Sequence, residues 1–239
     1  MAKIDVLILT ARPAAGKSEV IDFLKTTPQK RRAALFGIGA FEEIDDFPYV
    51  WEAFENDAIW EKLGRPRQNT DERLYFRDDA IWDFFIHKLN IAYDKKLARD
   101  PRYHEKRTTI IEFARGGKNG ISRALSHLSD AILDRAGILY VDVSYEESVR
   151  KNRRRFKPEL ADSILYHSLP DEKMERYYKV NDWKELSKGK PDGFIDVRGR
   201  RVPFAVLKNE PEVTDDPKKL GPALREALGR LRKRLDGAR

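Results

Sequence analysis

The stretch that decides the fold is Ile4-Asp5-Val6-Leu7-Ile8-Leu9-Thr10-Ala11-Arg12-Pro13-Ala14-Ala15-Gly16-Lys17-Ser18. Its first six residues form a short run of mostly branched apolar side chains, which is the pattern of a strand buried in a parallel sheet. After Lys17 the apolar residues change to helical spacing, namely at Val20, Ile21, Phe23 and Leu24. The stretch therefore predicts a strand, a tight loop and a helix in immediate succession.

The segment from Ala11 to Ser18 has the spacing of a Walker A phosphate loop, with Ala11 in place of the first glycine. In such a loop, backbone N–H groups converge on phosphate oxygens at a helix N-terminus, where the helix dipole favours anions. The alternative is an ordinary strand-to-helix turn. The position between a strand and a helix favours the phosphate loop. In that case Ala11 must adopt the backbone conformation that glycine, with no Cβ, adopts more easily at this position.

Each position of this loop predicts a role in nucleotide binding. We expect Lys17 to bridge the β- and γ-phosphates and the hydroxyl of Ser18 to ligate Mg²⁺. Gly16 lets the backbone approach the phosphates closely. The remaining nucleotide-binding backbone is expected from Pro13, Ala14 and Ala15. The implied cofactors are ATP and Mg²⁺.

Composition excludes several classes of protein. The chain has 239 residues and no cysteine, so a disulfide framework, a thiolate nucleophile and a Cys-based zinc site are excluded. Its four histidines lack helical ligand spacing, so we do not expect a transition-metal enzyme. No segment approaches the roughly 20 apolar residues of a membrane span, and the N-terminus does not resemble a signal peptide. We expect a cytoplasmic protein without a membrane partner, and the sequence leaves its oligomeric state open.

The formal net charge of +7 has two interpretations. Clustered Lys and Arg gain affinity for nucleic acid by releasing counterions from its phosphates. A kinase needs arginines as well, because it holds a triphosphate and a phosphorylated product. Part of the excess lies on a C-terminal helix-like segment and is typical of a solvated face; its residues are Arg225, Arg230, Arg232, Lys233 and Arg234.

Strand and helix patterns alternate along the whole chain. Strands are predicted within residues 4–9, 35–44, 108–113, 137–143 and 202–207, and helices at 80–97, 121–133 and 218–235. Residues 193–197 resemble the partner of the last strand in a hairpin. Such alternation favours an α/β fold. We predict a three-layer P-loop NTPase fold with a mostly parallel five-stranded sheet, helices on both faces and a helical lid.

The predicted domain organisation is simple. Residues 1–239 form one domain, and the strongly charged, strand-poor segment at about 145–190 is lid-like. The loop after the last strand, at residues 208–212, is where we expect the adenine of ATP, with backbone contacts near Asn209.

With these motifs in place, the chain resembles the nucleoside and nucleoside-monophosphate kinase branch of P-loop proteins. In deoxynucleoside kinases an acid after the second strand, followed by Pro and Trp, acts as base toward the acceptor hydroxyl. Asp45 and Asp46, with Pro48 and Trp51, occupy the comparable place here. The resemblance implies that one of the two acids is the catalytic base. Alternatively, either can cap the following helix.

The same family carries Glu-Arg at the end of its third strand. Here Glu112 and Arg115 are two positions further apart than in the family. The resemblance implies that Arg115 is catalytic and that Glu112 helps to hold Mg²⁺ through water. Four aromatic residues could stack on a flat substrate, although such positions also suit a core: Tyr49, Trp51, Phe76 and Trp82.

The resemblance extends to the lid. Arginines follow the fourth strand, as in those kinases, and an aromatic-rich segment at residues 177–183 comes later. A guanidinium suits charge that spreads over the transferred phosphoryl oxygens. Arg150 and Arg154 are assigned to catalysis and Arg153 to the nucleotide, with Arg155 in the same run, and we expect the run to close over ATP. The alternative is a solvated helix paired with Glu146, Glu147 and Glu159.

Together these features predict an ATP-dependent phosphotransferase. We expect its acceptor to be a small molecule, namely a nucleoside or a nucleotide. The alternative is an NTP-dependent nucleic-acid-binding protein or a polynucleotide kinase, which the charge favours. A GTPase fits less well because the chain has no Asn-Lys-x-Asp guanine motif.

Overall fold

The structure is a computed structural model that describes residues 3–155 and 169–237. Its strands are β1 (Val6–Ala11), β2 (Ala40–Asp45), β3 (Arg107–Ala114), β4 (Ala136–Asp142), β5 (Asp192–Val197) and β6 (Arg200–Lys208). Its helices are α1 (Lys17–Thr26), α2 (Gln29–Phe36), α3 (Phe47–Lys62), α4 (Ala80–Arg99), α5 (Tyr103–Lys106), α6 (Gly120–His127), α7 (Asp130–Leu133), α8 (Tyr145–Arg155), α9 (Asp171–Tyr178), α10 (Trp183–Ser187) and α11 (Pro217–Asp236).

The strands form one sheet in the order β2-β3-β1-β4-β6-β5. Neighbouring pairs are parallel from β2 to β6, and β5 runs antiparallel to β6 at the edge. The predicted mostly parallel α/β sheet is confirmed, but the predicted number of five strands is wrong. The hairpin partner adds a sixth strand because its backbone pairs with β6 over its whole length.

Helices cover both faces of the sheet, as predicted. Alternate residues of β1 point to opposite faces, with Ile8 in one core and Leu7 in the other. The first core is closed by α4, α6 and α10, and the second by α1, α2 and α11. These two apolar layers hold the three-layer fold together, since burial of apolar surface is the main favourable term in folding.

Two local expectations differ from the structure. The predicted helix at 121–133 is two helices, α6 and α7, because the chain is extended at Leu128 and Ser129. Asn90 of α4 stabilises this break by bonding to His127 O at 2.8 Å and to Ser129 N at 2.9 Å. Residues 35 and 36 belong to α2, so the second strand begins later than the apolar pattern indicates.

The sheet brings five loops to one edge. Because β1, β2, β3, β4 and β6 are parallel, the segments that follow their carboxyl ends meet there. In open α/β sheets this edge is where ligands bind. It carries the predicted phosphate loop, the acids after β2, the segment after β3, the start of α8 and the loop after β6.

The lid-like segment is described in part. It contains α8, α9 and α10, and residues 156–168, including Glu159, lie outside the described residues. Trp183 of α10 is buried and stacks on Tyr140 of β4 with ring centroids 4.2 Å apart. The end of the segment is therefore packed on the sheet. Among the described helices, none has the length and apolar content needed to cross a membrane.

Candidate functional site

The phosphate loop has the backbone of an anion-binding nest. Ala14 and Gly16 both have left-handed backbone conformations, with φ of 53° and 108°. Helix α1 begins directly afterwards at Lys17. Alternating backbone conformations of this kind turn successive N–H groups toward one concave point. Ala11, in contrast, ends β1 in an ordinary strand conformation, so the missing first glycine leaves no left-handed position to fill.

Gly16 is required by contact as well as by conformation. A Cβ at this position would lie 2.7 Å from Asn209 Nδ2 and 2.8 Å from the side chain of Thr214. Both distances are shorter than van der Waals contact allows, so only glycine lets the loop approach these neighbours. Asn209 is fully buried, and its Nδ2 donates to Ala15 O at 2.8 Å. The sequence places Asn209 near the nucleotide base, whereas the structure places its side chain against the phosphate loop.

Lys17 points toward a group of carboxylates at the ends of β2 and β3. Its Nζ lies 3.6 Å from Glu112 Oε1, and the Lys17 side chain is only 9% exposed. Glu112 stands opposite Asp45 in the register of β2 and β3. Ser18, the next residue of α1, is exposed. The structure therefore brings together four of the predicted site residues around the start of α1.

Burial sets the protonation of these carboxylates. Asp45 is half-buried, and burial raises its pKa to about 7, with smaller increases from the charges of Glu112 and Asp46. Burial also raises the pKa of Glu112, while the charge of Lys17 opposes this effect. A carboxyl group with a pKa near the working pH is suited to proton transfer. Asp45 Oδ1 accepts the Phe47 N–H at 3.0 Å, which fixes the carboxyl at the start of α3.

Asp46 forms a buried ion pair with Arg115. Its Oδ2 lies 2.5 Å from Arg115 Nη1, and both side chains are almost fully buried. Arg115 also donates to the carbonyls of Ala114 and Trp82, at 2.8 and 3.1 Å. Burial raises the pKa of Asp46, and Arg115 opposes this effect. Of the two acids after β2, Asp46 is therefore the one that Arg115 holds.

We expect Arg115→Ala to lower the free energy of unfolding by about 3 kcal/mol at pH 8, because Asp46 would stay buried without its counter-charge. The loss should be smaller at pH 5, where Asp46 can take up a proton. Arg123→Ala is the matched control, since Arg123 and Asp83 form a 2.5 Å pair that is half-exposed on the arginine side. It should cost less than about 1 kcal/mol. Equal losses in urea unfolding would contradict the buried-pair interpretation.

The lid arginines all contact carboxylates. Arg150 pairs with Glu147 of the same helix at 2.7 Å, as the solvated-helix alternative predicts, and lies 3.4 Å from Glu212 in the loop after β6. Arg154 lies 3.0 Å from Glu212. Arg153 pairs with Asp171 of α9 at 2.5 Å and is 66% exposed. Arg155 lies 3.4 Å from Glu19, in the first turn of α1. The structure therefore places Arg155 beside the phosphate loop, and it places Arg150 and Arg154 at the loop where we expect the adenine.

Sequence reasoning missed the residues that support the phosphate loop. Arg12 donates to Val143 O at 3.0 Å and to Tyr178 O at 3.2 Å, which ties the loop to the ends of β4 and α9. Ser148 of α8 donates to Pro13 O at 2.7 Å. Lys151 is buried and pairs with Glu212 at 2.7 Å. Nothing in the spacing identifies Ser148 or Lys151, because their contacts are more than 60 residues away along the chain.

A pocket of about 330 Å³ adjoins this site on the far side of Arg115. It lies between the start of α4, the segment after β3, the start of α6 and the end of α9. Trp82 and Tyr177 form its aromatic walls, 5.7 Å apart between ring centroids. Charged side chains line it too: Asp79, Asp83, Arg115, Lys118, Arg123 and Arg176. The pocket is large enough for a small acceptor.

The predicted aromatic residues divide between this pocket and the core. Trp82 lines the pocket, whereas Phe76 is buried with Phe85 and Ala53 in a small cluster. Tyr49 packs at the edge of that cluster. Trp51 donates its indole N–H to Glu55 at 3.0 Å on α3. Among the four aromatic candidates, Trp82 is the one that lines the pocket.

The donor set fits Mg²⁺ held with phosphate. Ser18 offers a hydroxyl oxygen and Glu112 and Asp45 offer carboxylate oxygens, and Mg²⁺ prefers oxygen ligands. Within residues 3–155 and 169–237, no three His, Cys, Asp or Glu side chains form a metal cage. A Mg²⁺ ion here would keep water and phosphate oxygens as ligands, which is its usual behaviour at nucleotide sites.

Comparison with known proteins gave structural neighbours only. No protein-family model and no curated sequence match the chain. A gluconokinase from Sinorhizobium meliloti 1021 is 12% identical, with a TM-score of 0.46 over 99% of this chain and 98% of its own. TT1252 from Thermus thermophilus is 17% identical, with a TM-score of 0.46 over 98% and 96%. A shikimate kinase from Acinetobacter baumannii, in complex with shikimate, is 13% identical, with a TM-score of 0.33 over 72% and 75%. Similarity at this level bears on neither the activity nor the substrate of the chain.

Proposed function

We propose that this protein is an ATP-dependent kinase that transfers a phosphoryl group to a small acceptor of the nucleoside or nucleotide class. One observation carries the proposal. A buried lysine at the start of α1 follows a left-handed nest and faces the carboxylates that end β2 and β3. An ordinary strand-to-helix turn has no need of this juxtaposition, because burying Lys17 among acids costs desolvation energy without improving the turn.

The side chains around the nest divide the work of phosphoryl transfer. Backbone N–H groups of the loop hold the phosphates, and Lys17 neutralises charge that grows on the transferred group. Asp45 accepts the proton of the acceptor hydroxyl, since its raised pKa lets it hold that proton at neutral pH. Arg115 pairs with Asp46 and holds it in place beside Asp45.

Ser18 and Glu112 are proposed to hold Mg²⁺, Ser18 directly and Glu112 through water. When bound, Mg²⁺ neutralises phosphate charge and fixes the phosphate oxygens. Lys17 and Glu112 contribute here without the ion as well, because their charges balance one another across 3.6 Å. The nest, Lys17 and Ser18 thus form one continuous phosphate-binding surface at the N-terminus of α1.

The acceptor is proposed to occupy the pocket beside Arg115. Arg115 lines this pocket and pairs with Asp46, the neighbour of Asp45 in the chain, so the proposal places the acceptor hydroxyl at the end of the pocket nearest this pair. Trp82 and Tyr177 provide flat apolar surface for a ring, and Asp79, Lys118 and Arg176 provide polar groups at the rim. These features support a small polar acceptor with a flat or ring-shaped part.

A thermal-shift screen with Mg²⁺ and ATP tests the proposal and identifies the acceptor. A true ligand raises the unfolding temperature by mass action, by an amount set by its concentration and Kd. Nucleosides, nucleotides, sugars, hydroxy acids and short oligonucleotides would be compared. We expect ATP and one class of small molecule to stabilise the protein. Stabilisation by oligonucleotides alone would favour the nucleic-acid alternative.

We also propose that the arginines of α8 close over bound ATP. Each of them now contacts a carboxylate, and phosphate oxygens can replace those partners with charge-assisted hydrogen bonds. We expect Arg155→Ala to lower kcat by at least tenfold and to change ATP affinity less, because its contacts strengthen as charge develops on the transferred group.

The other arginines of α8 serve as comparison. Arg153 is directed toward α9, so Arg153→Ala should have the smallest effect on turnover. The loss of turnover in Arg150→Ala and Arg154→Ala should lie between the losses in Arg153→Ala and Arg155→Ala. Turnover and ATP binding would be measured separately, together with hydrogen exchange across residues 145–155. Wild-type turnover in all four variants, or exchange that ATP leaves unchanged, would identify the run as a solvated helix face.

A further inference from the structure

The Ala15–Gly16 peptide of the phosphate loop is held from outside by a buried amide. Asn209 has no exposed surface, and its Nδ2 lies 2.8 Å from Ala15 O. In a trans peptide, the carbonyl and the following N–H point in opposite directions. Fixing Ala15 O on the side of Asn209 therefore directs the Gly16 N–H to the opposite side of the peptide.

A second peptide of the loop is held in the same way. Ser148 is fully buried on α8, and its hydroxyl donates to Pro13 O at 2.7 Å. By the same geometry, this bond directs the N–H of Ala14 away from α8. Two alternate peptides of the nest are thus oriented by side chains that lie far away in the sequence. Neither side chain needs to contact a ligand to have this effect.

Asn209 is itself fixed in one orientation. Its Oδ1 accepts the N–H groups of Val213 and Thr214 at 2.7 and 3.1 Å, and its Nδ2 also donates to Thr214 Oγ1 at 2.8 Å. A flipped amide would place its oxygen against Ala15 O and its nitrogen against two N–H groups, so the observed orientation is strongly preferred.

The residues that hold Asn209 in place are themselves bonded to the lid-like segment. Lys151 of α8 is buried, donates to Thr214 Oγ1 at 3.3 Å and pairs with Glu212 at 2.7 Å. One buried polar network therefore joins α8, the loop after β6 and the phosphate loop. Networks of this kind orient backbone groups before a ligand arrives, which lowers the cost of binding.

We propose that Asn209 is a positioning residue for the phosphate loop, which orients the loop N–H groups toward phosphate by holding Ala15 O. This inference rests on the proposed nucleotide site. It assigns the Asn209 side chain to the phosphates, whereas a role near the adenine would assign it to the base. Ser148 acts on the neighbouring peptide in the same sense.

The test compares Asn209→Ala with Asn90→Ala. Asn90 is a matched control because it is also a buried asparagine that bonds to one carbonyl and one N–H, at His127 O and Ser129 N, on the α4 side of the sheet. Calorimetric titrations would use MgATP and, separately, magnesium with inorganic triphosphate. The second probe carries the phosphates without the base or the sugar.

We expect Asn209→Ala to weaken the binding of both probes by the same factor, about tenfold or more. Asn90→Ala should lower the unfolding temperature but leave both affinities within about twofold of wild type. A merely structural role for Asn209 would give the Asn90 result, with lower stability and unchanged affinity. If Asn209→Ala does not fold, Ser148→Ala provides the same comparison at Pro13 O and should weaken both probes.

Three results would overturn the inference. Unchanged affinities in Asn209→Ala, or in Ser148→Ala if it is used instead, would show that the loop needs no such support. Weaker ATP binding with unchanged triphosphate binding would assign Asn209 to the base. Failure of the wild-type protein to bind either probe would overturn the proposed function, and the inference with it; this outcome is distinguishable because it does not depend on any variant.

Discussion

Lys17→Met should lower kcat/KM for phosphoryl transfer by about 10³-fold or more, because the transferred group would lose the cation that faces it during transfer. Methionine is chosen because it keeps most of the length and apolar stem of lysine. Lys17 directly follows the left-handed nest and lies 3.6 Å from Glu112, so its charge is beside the point where the phosphates are proposed to bind. Steady-state turnover at saturating ATP is the measurement.

The effect of Lys17→Met on stability has to be measured beside the effect on turnover. Lys17 is buried and beside carboxylates, so the variant should lose up to about 2 kcal/mol of unfolding free energy at pH 7. This is a larger change than an exposed lysine would give. Lys25→Met is the control, since Lys25 is half-exposed on the same helix and pairs with Glu43 at 3.0 Å. Full turnover in Lys17→Met would contradict the proposed kinase activity.

Asp45→Asn should abolish turnover while making the nucleotide-free protein more stable. Removing a general base costs a factor of about 10² to 10⁴ in rate. Burial raises the pKa of Asp45 to about 7, so at pH 8 the native state holds an unfavourable buried carboxylate there. The amide has nearly the same shape and carries no charge. We expect the free energy of unfolding of the variant to exceed that of wild type by about 2 kcal/mol at pH 8.

The sign of the pH dependence follows from the two states of Asp45. Its pKa is about 7 in the folded chain and near its ordinary value of 3.8 when unfolded, so the folded state binds the proton more tightly. The contribution of Asp45 to stability is therefore lost as pH rises from about 4 to about 7. Asp45→Asn should therefore reduce the dependence of the unfolding free energy on pH between about 4 and 7. The raised pKa values of Asp46 and Glu112 should leave a smaller dependence in the same range.

Asp46→Asn is the control for the Asp45 prediction. It removes a carboxylate that is paired with buried Arg115, so we expect it to lower stability at pH 8. Opposite changes in stability from the two adjacent variants would show that their carboxylates are in different environments. If Asp45→Asn kept wild-type turnover, or if its stability followed that of Asp46→Asn at every pH, Asp45 would be excluded as the base.

Much of the fold could be predicted because it depends on local pattern. The buried strand at the start of the chain, the helix that begins at Lys17 and the long helix α4 have periodicities that the structure reproduces. The break between α6 and α7 could not be predicted, since it depends on Asn90 about 40 residues earlier in the chain. The hairpin partner at residues 193–197 was predicted, but its place as a sixth strand of the sheet depends on its pairing with β6.

The site residues also differ in how far local sequence could predict them. Loop residues such as Gly16 and Lys17 were predictable because a phosphate nest requires consecutive positions in a fixed order. The distinction between Asp45 and Asp46 was not, because it depends on which carboxylate Arg115 reaches. The contacts of Arg153, Arg154 and Arg155 depend on Asp171, Glu212 and Glu19, which come from three other segments of the chain. The pair of Arg150 with Glu147, in contrast, follows from local helical spacing.

The most direct test of the proposed activity follows the γ-phosphoryl group itself. ATP labelled at the γ-phosphate would be incubated with Mg²⁺, the protein and each small molecule that stabilises it, and the products would be separated by chromatography. We predict that the label moves to one class of small acceptor, and that this transfer disappears with Lys17→Met and with Asp45→Asn. Label that remains in ATP or appears only as inorganic phosphate with every acceptor, or that moves equally well with Lys17→Met, would contradict the proposed kinase.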